Sequence, residues 1–164
     1  MPGEILFENA VNNTRLAMRT STVAAILWHQ GESDCGDPAL RDTYRARFEA
    51  MIAALKAACG LHDVPVILGG LGDFLPAHNE AWYGGGNKDA FNGILKKMAE
   101  ETPLVGYASA EGLTANPDLL HFNAPSLHAF GLRYFAAYEA TRDPERIFAT
   151  APETDEKRSA MEAL

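Results

Sequence analysis

A short aliphatic run that ends abruptly in polar residues constrains the fold of this chain more than any other feature. Residues 23–28 are Val, Ala, Ala, Ile, Leu and Trp, and residues 29–34 are His, Gln, Gly, Glu, Ser and Asp. Strands that a parallel sheet buries on both faces have this continuous apolar character. In open α/β sheets, ligands bind where such strands end. The run therefore predicts a buried parallel strand, and the polar residues after it predict the rim of a functional site.

Apolar residues at helical spacing predict four helices around this strand. The first covers residues 4–20. The second starts at Asp37-Pro38, an N-cap followed by a proline in the first turn, and ends near Gly60. We expect the apolar face of the first helix to comprise Phe7, Ala10, Val11, Thr14, Ala17 and Met18, and that of the second Leu40, Tyr44, Phe48, Met51, Ile52 and Leu55. The last two helices are indicated by Phe91, Ile94, Leu95 and Met98 and by Leu127, Phe130, Tyr134 and Tyr138.

Two more aliphatic runs, at residues 64–68 and 104–108, predict further strands. The resulting alternation of helices and strands implies parallel strands joined by right-handed helical connections. We therefore expect an α/β fold, a three-layer α/β/α sandwich with helices on both faces of a parallel sheet. A length of 164 residues, 47% of them hydrophobic, suits a single core. We expect this domain to span residues 1–140.

Two segments lack a sustained period. Residues 73–87 are rich in Gly, Asn, Pro and aromatic residues, and they predict a long loop of the kind that is usually functional or mobile. Residues 141–164 are charged and mostly aperiodic, and they predict a tail that is partly disordered.

Composition and charge argue against several classes of partner. The formal net charge is −8 and the basic residues are scattered, so we expect no nucleic-acid partner. No apolar run approaches the roughly 20 residues that cross a bilayer, and the first four residues show no secretory signal, which leaves the compartment open. Cys35 and Cys59 form neither a CxxC pair nor a zinc-type array, so we expect no metal and two free thiols, with a single disulfide as the alternative.

Residues 29–32, called the HQGE turn below, carry the first candidate chemistry. Gln30 can donate its amide N–H to a developing oxyanion, and Glu32 can accept a hydrogen bond from a histidine ring. A plain helix-capping turn would explain the serine and aspartate that follow, but not an amide and a carboxylate on either side of a glycine. A metal site built from His29, Glu32 and Asp34 is disfavoured because side chains alternate faces along an extended segment.

Residues 118–121, called the DxxH turn below, place a carboxylate three residues before an imidazole. At this spacing Asp118 can orient His121 or stabilise its charge, so that the histidine acts as a general base. The same spacing also occurs in helix caps and in surface hydrogen bonds. The DxxH turn by itself therefore leaves a structural interpretation open.

Trp82 and Tyr83 are the aromatic residues of the predicted loop. Aromatic faces pack well on the apolar faces of sugar rings, which favours carbohydrate recognition. Covering of the core is an equally good interpretation, and the sequence leaves both open.

The two turns together resemble a known family. The HQGE turn, the DxxH turn and the downstream Gly131-Leu132-Arg133 are similar to conserved blocks of the SGNH-type carbohydrate esterases, in the sialate O-acetylesterase and acetylxylan esterase group. The resemblance covers residues 4–139. It implies a carbohydrate O-acetylesterase, a carboxylic ester hydrolase that acts on acetylated carbohydrates without a metal or other cofactor.

The resemblance also implies roles for individual residues. The histidine of the DxxH turn is the general base, the glutamine is the oxyanion donor, and one of the two carboxylates holds the histidine. The catalytic residues implied in this way are His121, Asp118, Glu32 and Gln30, and those expected to bind substrate are His29, Trp82 and Tyr83.

One block of the family has no counterpart here. The family's nucleophile is a serine in an N-terminal GQS block, and GQS does not occur in this chain. Ser33 lacks the second glycine of a GxSxG turn, and Cys35, at a strand-to-helix turn, is a minor alternative. The resemblance therefore implies an N-terminally shortened esterase that lacks the first βαβ region and the central strand of the sheet.

This shortening leads to two expectations. A non-catalytic carbohydrate-binding or interaction module on the same fold is the alternative to an active esterase. Without a central strand, the edge of the strand predicted at residues 23–28 would expose unpaired backbone groups, which invites pairing with another chain. We therefore expect a homodimer through this edge, or low solubility.

Overall fold

Helices and strands alternate along residues 3–143, the part of the chain that the computed structural model describes. In chain order the elements are helix α1 Gly3–Ala17, strand β1 Ile26–Trp28, helices α2 Glu32–Cys35 and α3 Pro38–Cys59, strand β2 Val66–Gly69, helices α4 Leu75–His78, α5 Glu80–Tyr83 and α6 Asn87–Glu101, strand β3 Val105–Ala108 and helix α7 Ala124–Ala140. From residue 144 onward, the predicted tail lies outside the described residues. Within them, no helix is both long and apolar enough to cross a membrane.

The three strands form one parallel sheet in the order β1, β2, β3. Leu27 of β1 is the partner of Ile67 in β2, which is in turn the partner of Gly106 in β3. Helix α3 connects β1 to β2, and α6 connects β2 to β3, because parallel neighbours need a long crossover. The predicted α/β fold with a parallel sheet is confirmed.

Helices cover both faces of β2, the middle strand of the three. Val66 and Leu68 lie in a core cluster with residues of α3 and with Phe91 of α6. Ile67, whose side chain points to the other face, lies in a second cluster with Phe130 of α7. The layers are therefore α3 and α6, the sheet, and α7, as expected for an α/β/α sandwich.

Helix α3 begins and ends where the sequence predicts. The side chain of Asp37 accepts the backbone N–H groups of Ala39 at 2.8 Å and Leu40 at 3.4 Å, and Pro38 occupies the first helical turn. At the other end Gly60 adopts a φ of 69°, a left-handed conformation that glycine tolerates without strain. The Asp37-Pro38 signal therefore places the start of α3 shortly after the HQGE turn, and Gly60 marks the end of the helix.

Only one residue of the apolar face predicted for α1 is buried. Val11 packs against Cys59 and Leu61, whereas Phe7 and Met18 are each 37% exposed. Helix α1 lies against α3, where Arg15 also donates to the carbonyl of Ala58 at 2.6 Å. The predicted helix is present, but most of its apolar face is exposed, and it ends at Ala17 instead of residue 20.

Two further segments differ from the predictions. Strand β1 starts at Ile26, and Val23 packs instead against the cluster between α1 and α3, which accounts for its apolar character. Residues 73–87 contain α4 and α5, each a single helical turn, so the prediction of a loop without structure is wrong. Pro76 lies in the first turn of α4, a position that proline favours.

Candidate functional site

The carboxyl ends of the three strands lie at one end of the sheet, and the HQGE turn follows β1 at this end. His29 links it to the neighbouring segments, because its Nε2 lies 3.3 Å from the carbonyl oxygen of Gly70, just after β2. The same ring makes an edge-to-face contact with Phe122, at a centroid distance of 5.4 Å. Phe122 directly follows the DxxH turn, so the two candidate turns lie on the same rim.

The carboxylate of Asp118 holds His121. Oδ2 lies 2.7 Å from Nδ1 of His121, and Oδ1 accepts the backbone N–H groups of Leu120 and His121 at 3.0 Å each. The backbone and then the side-chain hydrogen bond from His121 hold the pKa of Asp118 well below its usual range. Because an ionised carboxylate can only accept, Nδ1 carries the proton of the neutral imidazole. Nε2 is then left as an acceptor, which is what a general base requires.

The DxxH turn is well fixed although it is exposed. The backbone N–H of Asn116 donates to the carbonyl of His121 at 2.8 Å, and its side-chain amide donates to the carbonyl of Phe122 at 3.2 Å. Leu119 has a φ of 56°, a left-handed conformation that costs a residue other than glycine about 1–2 kcal/mol. The His121 side chain is 72% exposed, so its ring is accessible from solvent.

A buried carboxylate orients the side chain of Gln30. Nε2 donates to Oδ2 of Asp34 at 2.6 Å, and Asp34 is only 7% exposed. Arg47 pairs with the other carboxylate oxygen and compensates its charge. A carboxamide has two N–H groups, and Asp34 takes one of them. Within residues 3–143, the second N–H of Gln30 makes no hydrogen bond.

The backbone around Gln30 is fixed by two buried tyrosines. Tyr44 Oη donates to the carbonyl of Gln30 at 3.1 Å and accepts the indole N–H of Trp28 at 3.0 Å. Tyr134 Oη donates to the carbonyl of Trp28 at 2.9 Å. Burial raises the pKa of Tyr44 to about 12, so its phenol keeps the proton that it donates. The end of β1 is therefore held from both faces of the sheet.

The side chain of Glu32 contacts residues of its own turn. Its Oε2 accepts the backbone N–H of Gly31 at 3.0 Å, and Oε1 lies 3.6 Å from Nδ1 of His29. Within residues 3–143 it makes no hydrogen bond or ion pair with His121. Of the two carboxylates considered from the sequence, Asp118 is the one in contact with the candidate base.

Two side chains that the sequence did not single out as site residues fix the other strand ends. Asn92 on α6 donates to the carbonyl of Leu71 at 3.0 Å and accepts its N–H at 2.8 Å. Arg133 on α7 donates to the carbonyl oxygens of Ser109 and Glu111, both at 2.8 Å. Asn92 carried no signal in the sequence, whereas Arg133 belongs to the Gly131-Leu132-Arg133 block noted above.

The residues predicted to bind substrate have different environments. Trp82 on α5 is 48% exposed, so one face of its ring can meet a ligand. Tyr83 is 8% exposed and belongs to the main core cluster, and the structure therefore assigns it to packing and not to a sugar-binding surface. The two ring nitrogens of His29 lie near the carbonyl oxygen of Gly70 and the carboxylate of Glu32. Its contact with substrate, like that of Trp82, stays a prediction.

The serines of residues 3–143 make no hydrogen bond to His121. Ser126 is buried, with its Oγ 3.1 Å from Oγ1 of Thr114, and Ser21 donates to the carbonyl of Ala17 at 2.7 Å. The same residues contain no group of three side chains placed to hold a metal ion. The roles of His121 as a base and of Gln30 as an oxyanion donor stay predictions.

Cys35 and Cys59 are both free and buried. Cys35 is fully inaccessible, and burial raises the pKa of its thiol to about 11, so little thiolate forms at neutral pH. We expect a disulfide reagent such as Ellman's reagent to modify both thiols at least about 100-fold more slowly in the folded protein than in the denatured protein. Rapid labelling of Cys35 in the folded protein would restore it as a candidate nucleophile.

Comparison with known proteins places this geometry in a family. The fold matches an X-ray structure of a protein from Arabidopsis thaliana, with a TM-score of 0.67 and 25% sequence identity over 82% of this chain and 52% of that one. The chain therefore spans about half the length of that relative. No curated protein matches at a significant level. The family model described as carbohydrate esterase, sialic acid-specific acetylesterase, matches residues 1–140. Because this match covers most of the sequence, the chain belongs to the sialic acid-specific acetylesterase family of carbohydrate esterases.

Proposed function

We propose that this chain provides the general base and the oxyanion donor of a carbohydrate O-acetylesterase. The observation that carries the proposal is the 2.7 Å contact between Asp118 and Nδ1 of His121, which leaves Nε2 as an acceptor on an accessible ring. The location of this pair on the same rim as the HQGE turn supports the assignment.

In the proposed reaction, an acetyl ester of a sugar lies on this rim. Nε2 of His121 removes a proton from an attacking water molecule, whose oxygen forms a bond to the acetyl carbon, and passes this proton to the sugar oxygen when the ester C–O bond breaks, so that acetate and the free sugar hydroxyl are released. Asp118 stabilises the imidazolium formed in between. The spare N–H of Gln30 donates to the oxyanion of the tetrahedral intermediate. Trp82 offers a flat apolar surface on which a sugar ring can stack.

Release of acetate from 4-nitrophenyl acetate and from acetylated xylan tests this proposal. We expect His121→Ala to lower the rate about 100- to 10,000-fold, the usual contribution of a general base. His62→Ala is the matched control, because His62 is exposed and lies in the loop before β2, at the opposite end of the sheet. Equal rates for the two variants, or no turnover by the unsubstituted chain, would overturn the proposal.

A non-catalytic carbohydrate-binding module is the second candidate. It is supported by the exposure of Trp82 and by the lack, within residues 3–143, of a serine bonded to His121. In that case calorimetry would detect binding of acetylated xylan that is lost in Trp82→Ala and kept in Leu40→Ala, an exposed leucine on α3. No variant would then hydrolyse the ligand, whereas hydrolysis that depends on His121 would exclude this candidate.

A further inference from the structure

Residues 74–83, called the α4–α5 segment below, contain two single-turn helices and contact the DxxH turn. Nδ1 of His78 lies 2.9 Å from the carbonyl oxygen of Asp118, across 40 residues of sequence. A carbonyl oxygen can only accept, so Nδ1 carries the proton of this hydrogen bond. The ring of Phe74 makes an edge-to-face contact with Phe122, at a centroid distance of 5.0 Å. One end of the α4–α5 segment is therefore attached to the turn that carries the candidate base.

The other end of the α4–α5 segment lies against the residues that follow the HQGE turn. The carbonyl of Trp82 accepts the side-chain N–H of Asn87 at 3.1 Å, and a Cβ on Gly36 would lie only 2.6 Å from this carbonyl oxygen. Arg41 donates to the side-chain oxygen of Asn87 at 2.8 Å and to the carbonyl of Cys35 at 3.1 Å. Backbone thus meets backbone at close range, which leaves α5 little room to shift relative to the HQGE turn.

The hydrogen bond from His78 acts on a peptide group that needs support from outside its own turn. This peptide joins Asp118 to Leu119, whose φ of 56° is kept by a residue with a side chain only where surrounding contacts fix it. The N–H of the peptide donates to the carbonyl of Asn116 at 2.9 Å, and its C=O accepts from His78. Asn116 belongs to the same loop as the DxxH turn, whereas His78 comes from a distant segment. His78 therefore ties the orientation of this peptide to the rest of the rim.

We propose that His78 is a positioning residue for His121. By fixing the peptide that follows Asp118, it keeps the carboxylate of Asp118 directed at Nδ1 of His121, at the observed 2.7 Å. His78 acts through the backbone of Asp118, so its role is to hold the geometry of the pair and not to transfer a proton. This inference rests on the proposed function, in which His121 is the base.

Two substitutions at the exposed His78 separate the hydrogen bond from the rest of the ring. His78→Ala removes the donor, whereas His78→Asn supplies an amide N–H at about the same distance from the backbone as Nδ1. We expect His78→Ala to lower kcat on 4-nitrophenyl acetate about 10- to 100-fold with KM unchanged, because a misplaced base slows the chemical step and leaves binding intact. His78→Asn should regain most of this loss, and His62→Ala, the matched control, should show none.

Three kinetic outcomes would contradict the proposal. The first is an unchanged kcat in His78→Ala, and the second is an equal loss in the alanine and asparagine variants. The third is a rise in KM alone, which would make His78 a residue that binds substrate.

Amide hydrogen exchange tests the positioning without any hydrolysis. The N–H groups of Leu120 and His121 both donate to Oδ1 of Asp118 at 3.0 Å, so they report whether the turn keeps its shape. We expect both to exchange at least about fivefold faster in His78→Ala and at the unsubstituted rate in His78→Asn. If the unsubstituted chain hydrolyses no ester, the proposed function fails, and this pattern of exchange still supports a DxxH turn held by His78. Equal exchange rates in all variants would overturn the proposal.

Discussion

Asp118→Asn is expected to reduce ester hydrolysis about 100- to 10,000-fold, at most as much as His121→Ala, while the protein stays folded. The asparagine oxygen can still accept the backbone N–H groups of Leu120 and His121, so the turn keeps its shape. Its NH₂ group, however, would face Nδ1 of His121 and favour the tautomer with the proton on Nε2. An imidazole in that tautomer cannot accept a proton from the nucleophile. Measurement of kcat on 4-nitrophenyl acetate, beside a circular dichroism spectrum, checks both parts.

Asp63→Asn is the matched control for this substitution. Asp63 is exposed and lies just before β2, at the end of the sheet opposite to the DxxH turn. We expect this variant to keep the rate of the unsubstituted protein. If the two asparagine variants hydrolyse the ester equally fast, Asp118 does not set the tautomer of His121.

Gly31→Ala is expected to destabilise the fold by about 2–4 kcal/mol. A Cβ at this position would lie 2.2 Å from the ring of Phe91, which is fully buried and has no room to move. The backbone φ of 151° adds strain, because residues with side chains rarely adopt it. Urea denaturation measures the change in the free energy of unfolding.

Gly93→Ala provides the opposite expectation on α6, the helix that carries Phe91, because Gly93 is exposed. Gly93 lies inside α6, and a Cβ there would have no atom within 4 Å. Alanine is expected to stabilise this helix by about 0.5–1 kcal/mol. If Gly31→Ala is as stable as Gly93→Ala, the close approach of the HQGE turn to Phe91 does not constrain position 31.

The features that the sequence predicts well depend on local pattern. Continuous aliphatic runs predicted β2 and β3 to within two residues, and Asp37-Pro38 and Gly60 predicted the ends of α3. The HQGE turn was expected at the carboxyl end of a strand, where ligands bind in α/β sheets. Hydrogen bonds inside the HQGE and DxxH turns span few residues, so sequence spacing already restricts them.

The features that the sequence could not predict depend on contacts between distant segments. The spacing of the DxxH turn allowed Asp118 to hold His121, but whether Glu32 also reaches His121 depends on how two turns far apart in sequence lie relative to each other, and in the structure Glu32 lies near His29 instead. Tyr83 is as aromatic as Trp82, and only the packing of α5 buries one and exposes the other. The exposed faces of α1 and α7 have the periodicity of buried helices, because periodicity reports apolar character and not what covers it.

The tautomer of His121 tests most directly the claim that Asp118 holds His121 as a general base. This measurement does not depend on which group attacks the ester. Long-range proton–nitrogen NMR correlations distinguish a protonated Nδ1 from a protonated Nε2 in the neutral ring. We predict that the proton resides on Nδ1 in the unsubstituted protein and moves to Nε2 in Asp118→Asn, while Asp63→Asn leaves it in place. A proton on Nε2 in the unsubstituted protein would contradict the assignment of His121 as a base held by Asp118.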